Sequence, residues 1–209
     1  MSDWDQNVSR ETIARLRRYT EELSRWSKRI NLIGPSTVDA IWERHIADSW
    51  QLVSLFPYAN HWVDLGTGAG LPGMVIAAHC ETKRLDDPSV RVDLVESNRK
   101  KTAFLRAVKP LIAPSTIIHD LRLEDAIPTI PKPDIVTARA LASLDQLLSW
   151  NADWLMQGTR GVFPKGRGFQ EEISAAQSHW QFECAIHKST IDAESVILEI
   201  SDLRSLAST

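Results

Sequence analysis

Three glycines at alternating positions, with a fourth shortly after, follow a short apolar run that has an acid near its end. The acid is Asp64, and the glycines are Gly66, Gly68, Gly70 and Gly73. This order is typical of a strand that passes through a tight turn into a helix N-terminus. Since glycine has no side chain, the backbone can approach a ligand closely, and the first N–H groups of the helix face the same space. The stretch predicts a ligand-binding turn in an α/β domain.

The glycine spacing fits two classes of cofactor. Gly68, Gly70 and Gly73 match the dinucleotide fingerprint, but Gly66 already begins the turn, directly after the strand. That earlier frame favours S-adenosylmethionine, which has no pyrophosphate to bind and needs acceptors for its ammonium group and ribose hydroxyls. Asp64 is predicted to accept from the ammonium group, directly or through water; in the alternative interpretation it only caps the turn.

Acidic residues also follow the next two predicted strands. Glu96 ends the second strand, where it can accept hydrogen bonds from both ribose hydroxyls, unless it faces solvent. The segment 122–125, after the third strand, falls where such folds present backbone N–H groups and an acid to an adenine edge; by itself it is also an ordinary acidic loop. Together these positions predict a nucleoside site at the carboxyl ends of the strands.

Two basic residues follow the fourth and fifth strands. Arg139 and Lys165 can hold guanine or phosphate oxygens; alternatively, Arg139 pairs with an acid and Lys165 is solvated at a turn. The chain has no Asn/Asp-Pro-Pro-aromatic sequence to grip an exocyclic amine, and Cys80 and Cys184 lie away from the predicted site. A metal site is not expected. Guanine N7 carries a free lone pair and no proton, so alignment with a methyl group can suffice there.

Basic residues are concentrated in two places although the formal net charge is −3. One group lies in the first helix, where a solvated outer face is the favoured interpretation. The other lies in a helix after the second strand and has no acid among it, so it is a candidate surface for RNA: Arg99, Lys100, Lys101, Arg106 and Lys109.

The elements that position these residues begin with two predicted helices, 9–32 and 36–56, which form an N-terminal extension (residues 1–57). A domain over 58–209 follows, in which strands and helices alternate as in a mostly parallel sheet. Strands are predicted to end at 65 and to cover 91–96, 115–119, 134–137, 161–164, 182–188 and 195–200. The last two form an antiparallel edge. Helices are predicted at 98–109 (stopped by Pro110), 143–157 and 169–179.

The composition is typical of a folded globular protein. The chain has 209 residues, of which 43% are hydrophobic and 24% charged, and no apolar run is long enough for a membrane span. Two cysteines are too few for a disulfide framework. We therefore expect a cytoplasmic protein, and a monomer.

Several of these segments together resemble the glucose-inhibited division protein B family, bacterial methyltransferases of small-subunit ribosomal RNA. The resemblance is carried by the block 64–73, by 44–49 (RHIADS) after Asn31, by Arg139-Ala140 and by Lys165-Gly166. It implies a Rossmann-like fold that binds S-adenosylmethionine and transfers methyl to N7 of guanine 527 in 16S rRNA. It further implies cofactor contacts from these residues: Gly66, Leu71, Leu123, Glu124 and Arg139.

The partner implied is 16S rRNA or the small ribosomal subunit. Asn31, Arg44 and His45 are candidates either for RNA contact or for bracing the extension, and Arg167 is a further candidate beside Lys165. Two alternatives remain open from the residues alone: a small-molecule methyltransferase of the same fold, and a catalytically silent RNA-binding or assembly protein.

Overall fold

A seven-stranded sheet with strand order β3-β2-β1-β4-β5-β7-β6 forms the centre of the protein. The structure, a computed structural model, describes residues 8–34 and 40–206. The strands are β1 (His61–Leu65), β2 (Arg91–Val95), β3 (Ile117–His119), β4 (Ile135–Thr137), β5 (Arg160–Lys165), β6 (Trp180–Lys188) and β7 (Val196–Ser205). The helices are α1 (Arg10–Ser27), α2 (Asp48–Leu55), α3 (Gly73–Lys83), α4 (Arg99–Ile112), α5 (Leu123–Ala126), α6 (Leu144–Trp150), α7 (Ala152–Met156) and α8 (Phe169–Ala176).

The predicted fold class is confirmed. Strands β1 to β5 pair in parallel, whereas β7 runs antiparallel to both β5 and β6 and completes the edge of the sheet. The strand order changes direction between β1 and β4. In open α/β sheets a crevice for ligands forms outside the carboxyl ends of the strands at this point. The candidate site residues lie at or just after the carboxyl ends of β1, β2, β4 and β5, so they are gathered at one end of the parallel strands.

Alternating side chains divide the interior into two apolar layers. Trp62, Val92 and Leu94 point toward α1, α3 and α4, and the opposite positions, such as Val63 and Val95, point toward α6, α7 and α8. Because both faces of the inner strands are covered, β1 and β2 are almost continuously buried. The sheet is thus a rigid platform for groups at its carboxyl edge.

Helix α1 packs on the first of these layers through one apolar stripe, as predicted. Leu16, Tyr19 and Leu23 are fully buried. The Tyr19 hydroxyl donates a 2.6 Å hydrogen bond to the carbonyl oxygen of Ala69, inside the glycine turn. Burial raises the pKa of Tyr19 well above its ordinary value. The N-terminal helix is therefore fixed directly to the candidate binding turn; the domain boundary at residue 57 stays a prediction.

One charged cluster inside the sheet had no counterpart in the predictions. The carboxylate of Asp93, in the middle of β2, accepts hydrogen bonds from Arg91 Nε (2.6 Å) and Nη2 (2.8 Å), from His61 Nε2 (2.9 Å) and from His119 Nε2 (2.6 Å). Its side chain is completely buried. Burial alone would raise the pKa of Asp93, but the donors from Arg91, His119 and His61 hold it far below its usual value. The cluster joins β1, β2 and β3 across their width.

Some element boundaries differ from prediction. Helix α4 does not stop at Pro110 but continues to Ile112, which is fully buried. The single helix predicted over 143–157 is broken at the buried Asn151, whose Nδ2 donates to the carbonyl oxygen of Leu147. The predicted start of the second helix at Ser36 lies outside the described residues.

The helix before β1 begins irregularly. Trp42–Ala47 forms a π-helical turn that runs directly into α2. A π-helical turn displaces the following side chains around the helix axis, and such turns often occur at functional sites. None of the helices described over residues 8–34 and 40–206 is both long and apolar enough to cross a membrane.

Candidate active site

The glycine turn between β1 and α3 has the backbone conformation that the sequence predicts. Gly66 and Gly68 have φ of +61°, and Gly70 has φ of +92°, a region that other residues rarely adopt. A Cβ atom on Gly66 would lie 2.5 Å from a Leu141 methyl group. Both the positive φ and the packing against Leu141 therefore exclude a side chain at Gly66. The backbone of Gly66 also borders an open cavity.

Asp64 holds the turn together from below. Its Oδ2 accepts hydrogen bonds from the Thr67 hydroxyl and from the backbone N–H of Gly73 (2.8 Å), at the first residue of α3. Burial raises the pKa of Asp64 to about 7, against the lowering effect of those two hydrogen bonds. Oδ1 is buried and has no hydrogen-bond partner in the described residues. This geometry matches the turn-capping interpretation, with one acceptor oxygen left over.

Glu96 lies immediately after β2 and is also tied to the turn. Its Oε2 accepts from the backbone N–H of Gly68 (3.0 Å), and its Oε1 accepts from that of Asn98 (2.7 Å). The side chain is therefore fixed in orientation at the rim of the cavity described next. Each carboxylate oxygen can accept a second hydrogen bond, so the two oxygens are presented as a pair of acceptors.

A cavity of about 660 Å³ opens beside the turn. Of the predicted cofactor residues, Gly66, Glu96, Leu123 and Glu124 line it, whereas Asp64, Gly70 and Leu71 are packed beneath the turn and Gly68 borders it through Glu96. Leu121, Leu141 and Trp150 add apolar walls that the sequence reasoning did not identify. Carboxylate acceptors together with apolar walls fit a nucleoside.

A second cavity, of about 290 Å³, adjoins the first. Ala140, in the left-handed region at φ of +52°, lines both. Arg139 lines the second cavity but not the first; its Nη1 donates to Asp48 Oδ2 (3.1 Å), and its Nη2 lies 3.4 Å from His45 Nδ1. The pairing of Arg139 with an acid, the alternative interpretation of the sequence, is therefore present, and the acid comes from α2.

Lys165 reaches the same second cavity but is not solvated. Its Nζ donates to the carbonyl oxygen of Ala142 (2.8 Å) and to Glu172 Oε2 (2.6 Å), and its side chain is only 8% exposed. The alternative interpretation, a solvated lysine at a turn, is therefore wrong, because Lys165 is paired with Glu172 of α8. Glu172 also accepts from the backbone N–H of Leu144 (2.7 Å), which fixes this pair in place.

His45 belongs to the N-terminal extension and contacts Arg139 of the site. Burial, together with the charges of Arg139 and Arg44, lowers the pKa of His45 to about 4, so the ring is neutral at physiological pH. Its contact with Arg139 agrees with a bracing role. Two residues of the motif 44–49, His45 and Asp48, thus contact Arg139 at the second cavity.

The remaining RNA candidates differ in accessibility. Asn31, Arg44 and Lys100 are exposed, whereas Lys101 is half-buried and lines the first cavity. Arg167 is 79% exposed and forms an ion pair with Glu194. Within residues 8–34 and 40–206, no three His, Cys, Asp or Glu side chains gather as metal ligands would.

Asp48 is the main site residue that the sequence reasoning missed. It stands four residues after Arg44 in the motif 44–49, so the signal was an acid on the same helical stretch as the basic candidates. Its partner Arg139 is far away along the chain, and only the tertiary structure shows that the two meet.

Solved structures with the same fold include methyltransferases of low sequence identity. A putative O-methyltransferase from Klebsiella pneumoniae superposes with a TM-score of 0.59 at 11% identity, over 90% of each chain. A substituted form of MtNAS in complex with S-adenosylmethionine superposes with a TM-score of 0.57 at 12% identity, over 91% of this chain and 71% of the other. At such identity the likeness shows the fold alone.

Relatives found by sequence have a much higher identity to this chain than these structures do. The ribosomal RNA small subunit methyltransferase G of Methylobacterium nodulans is 47% identical over 94% of this chain and 91% of that protein. The protein of the same name from Rhizobium etli is 44% identical over 95% and 96%. The family model of rRNA small subunit methyltransferase G, GidB, matches residues 12–200. The chain therefore belongs to the rRNA small subunit methyltransferase G family.

Proposed function

We propose that the protein transfers the methyl group of S-adenosylmethionine to N7 of a guanine in 16S ribosomal RNA, guanine 527. The observation that carries the proposal is the meeting of two cavities at Ala140. One has the acceptors and apolar walls that a nucleoside cofactor needs, and the other has cations and carboxylates that suit a polar base. Membership of the family supports the reaction class and the RNA substrate.

The first cavity fits the cofactor. The two oxygens of Glu96 are fixed by backbone donors and can each accept from a ribose hydroxyl. Leu123 and Leu141 offer apolar contacts for the adenine, with the acid Glu124 close by. Asp64 Oδ1, buried beneath the turn without a partner in the described residues, is the acceptor that we assign to the ammonium group, directly or through water. When bound, the cofactor supplies an electrophilic methyl group.

The second cavity would position the acceptor without removing a proton from it. Its carboxylates, Asp48 and Glu172, are both paired with cations. The neighbouring His45, with its pKa lowered to about 4, is a weak base. Guanine N7 suits such a site because its lone pair is free and the base only has to be aligned with the methyl group.

Methyl transfer tests the proposal directly. Small-subunit RNA and particles from a strain lacking the enzyme are incubated with labelled cofactor, and the modified base is mapped. We expect label in 16S rRNA at guanine N7. Transfer to a small molecule instead would favour a small-molecule methyltransferase, and binding to the particles without transfer would favour an assembly protein; either result would overturn the proposal.

The basic N-terminus of α4 is proposed as an RNA contact beside the site. Arg99 and Lys100 are exposed there, and Asn98 caps the helix by accepting from the N–H groups of Lys100 and Lys101. Trp26 of α1 packs on Phe104 of α4 with ring centroids 5.6 Å apart. The end of α1 therefore places Lys28, also exposed, near the same surface.

Replacing Arg99 and Lys100 together by alanine is expected to weaken RNA binding and to flatten its salt dependence. The slope of log affinity against log salt falls by about one for each phosphate that the protein no longer neutralises. Cofactor affinity, measured by calorimetry, stays unchanged because neither residue lines the first cavity.

The matched control removes one lysine and one arginine elsewhere. Lys132 and Arg204 are exposed; Lys132 precedes β4 and Arg204 lies near the end of β7, so both are away from the carboxyl ends of the parallel strands. Their replacement by alanine leaves the RNA salt slope unchanged. An equal decrease of slope in both double variants would show that α4 contributes only net charge and makes no specific contact.

A further inference from the structure

Four charged side chains reach the second cavity, and they form two pairs. Lys165 and Glu172 are committed to each other and to backbone atoms, Ala142 O and Leu144 N. The other pair, Asp48 and Arg139, is held by a single hydrogen bond of 3.1 Å between Nη1 and Oδ2. The first pair is a structural support, and the second has hydrogen-bonding capacity to spare.

The capacity of Asp48 can be counted. Within the described part of the chain, its Oδ2 accepts from Arg139, and its Oδ1 accepts from Gln51 Nε2 at 3.2 Å. Each carboxylate oxygen has room for one more donor. The side chain is 22% exposed and lines the second cavity. Asp48 thus presents two adjacent acceptors to whatever base enters.

The chemistry of guanine selects the edge that Asp48 would meet. For N7 to face the cofactor cavity, the opposite edge of the base, with N1–H and the 2-amino group, must face away from it. Those two groups are neighbouring donors, and one carboxylate can accept from both. Adenine presents an acceptor, N1, at the same place and would be repelled by a carboxylate. The adjacent guanidinium of Arg139 suits the guanine O6.

We propose that Asp48 is the residue that selects guanine, by accepting hydrogen bonds from N1–H and the 2-amino group of the target base. This assignment rests on the proposed function. The π-helical turn Trp42–Ala47 ends immediately before Asp48 and sets its direction toward Arg139. Asp48 then has two roles, since it also orients Arg139, and the experiment must separate them.

Inosine separates the two roles because it keeps O6, N7 and N1–H but lacks the 2-amino group. 16S rRNA is ligated from two pieces so that the target position carries guanosine or inosine, and small-subunit particles are assembled with each. We expect the wild type to methylate the inosine substrate roughly tenfold more slowly than the guanosine substrate, the size expected when one hydrogen bond to a base is removed. Asp48→Ala slows methylation of guanosine, and the inosine penalty disappears.

Asp48→Asn serves as a second variant if Asp48→Ala does not fold. The amide keeps the shape and one acceptor oxygen, and it should shrink the inosine penalty severalfold. Glu43→Ala is the matched control, because Glu43 is an exposed acid on the same π-helical turn. Glu43→Ala should methylate the guanosine substrate at the wild-type rate and should show the full inosine penalty.

The opposing results are distinct. If Asp48 only orients Arg139, its variants slow both substrates equally and the inosine penalty persists, which overturns the assignment. A wild type that shows no inosine penalty overturns it as well. If the wild type does not methylate guanine N7 in the guanosine particles, the proposed function fails, and that failure is visible before any variant is examined.

Discussion

Replacing Asp93 by alanine is expected to lower the free energy of unfolding by about 3–5 kcal/mol, because three partly buried side chains lose the acceptor that they share. Asp93 is the common acceptor for Arg91, His61 and His119, and its side chain is completely buried. Its removal leaves the Arg91 guanidinium without its acceptor beside an emptied site in the sheet. Denaturant unfolding at neutral pH, followed by circular dichroism, measures the change.

The effect has a defined pH dependence. The pKa of Asp93 in the folded protein lies below the unfolded value of about 3.9, so its stabilising contribution is fully present above that value. It is lost as the pH falls toward the folded pKa. The stabilisation that Asp93 provides over Asp93→Ala should therefore shrink as the pH falls below roughly 4.

An exposed acid provides the control. Asp86 lies on the surface in the loop after α3, and its replacement by alanine should change stability by no more than about 0.5 kcal/mol. If Asp93→Ala is equally mild, the histidines and Arg91 satisfy one another or bind water without the carboxylate, and the cluster does not hold the strands together.

Replacing Glu96 by alanine is expected to weaken S-adenosylmethionine binding about 10- to 100-fold, or roughly 1–3 kcal/mol, because donors are left unpaired. Glu96 has two connected functions. It is predicted to accept from the ribose hydroxyls, and it holds the N–H of Gly68. Its replacement should therefore remove ligand contacts and loosen the turn at the same time. Isothermal calorimetry with S-adenosylmethionine measures the affinity.

Glu96→Gln separates these two functions. It keeps one acceptor oxygen, which can still hold the turn, and it loses the second acceptor and the charge. Its affinity should lie between those of wild type and Glu96→Ala. The control is Asp125→Ala, an exposed acid of α5 that does not line the cavity. Wild-type affinity in Glu96→Ala would refute the ribose role, and tight binding of NAD in place of S-adenosylmethionine would refute the cofactor.

The fold was largely predictable because local patterns and tertiary packing agree. The acid-then-glycine order of 64–73 forms the expected turn, and the predicted strands all occur in the sheet. The disagreement at Pro110 has a tertiary cause. Pro110 lies in the last turn of α4, and the helix continues because Ile112 is buried and its carbonyl oxygen accepts from Arg15 of α1 at 2.8 Å. A local rule for proline cannot include a partner so distant in sequence.

The site was predictable only where its residues follow strands directly. Glu96 could be placed from the end of β2 alone. Asp48 could not, because its role depends on Arg139, 91 residues later in the chain. The same applies to Asp93: the alternation of Arg91 and Asp93 puts both on one face, but His61 and His119 join them only through the register of β1, β2 and β3.

The attachment of α1 has a consequence for how the chain is made. This helix leaves the ribosome before the segments that it contacts: Tyr19 bonds to Ala69, 50 residues on, and Arg15 bonds to Ile112, 97 residues on. Its apolar stripe therefore lacks part of its packing partners until α4 has emerged. The apolar stripe of α1 must stay soluble during this interval. We expect a nascent chain that ends before α4 to be prone to aggregation, because part of this stripe is then exposed.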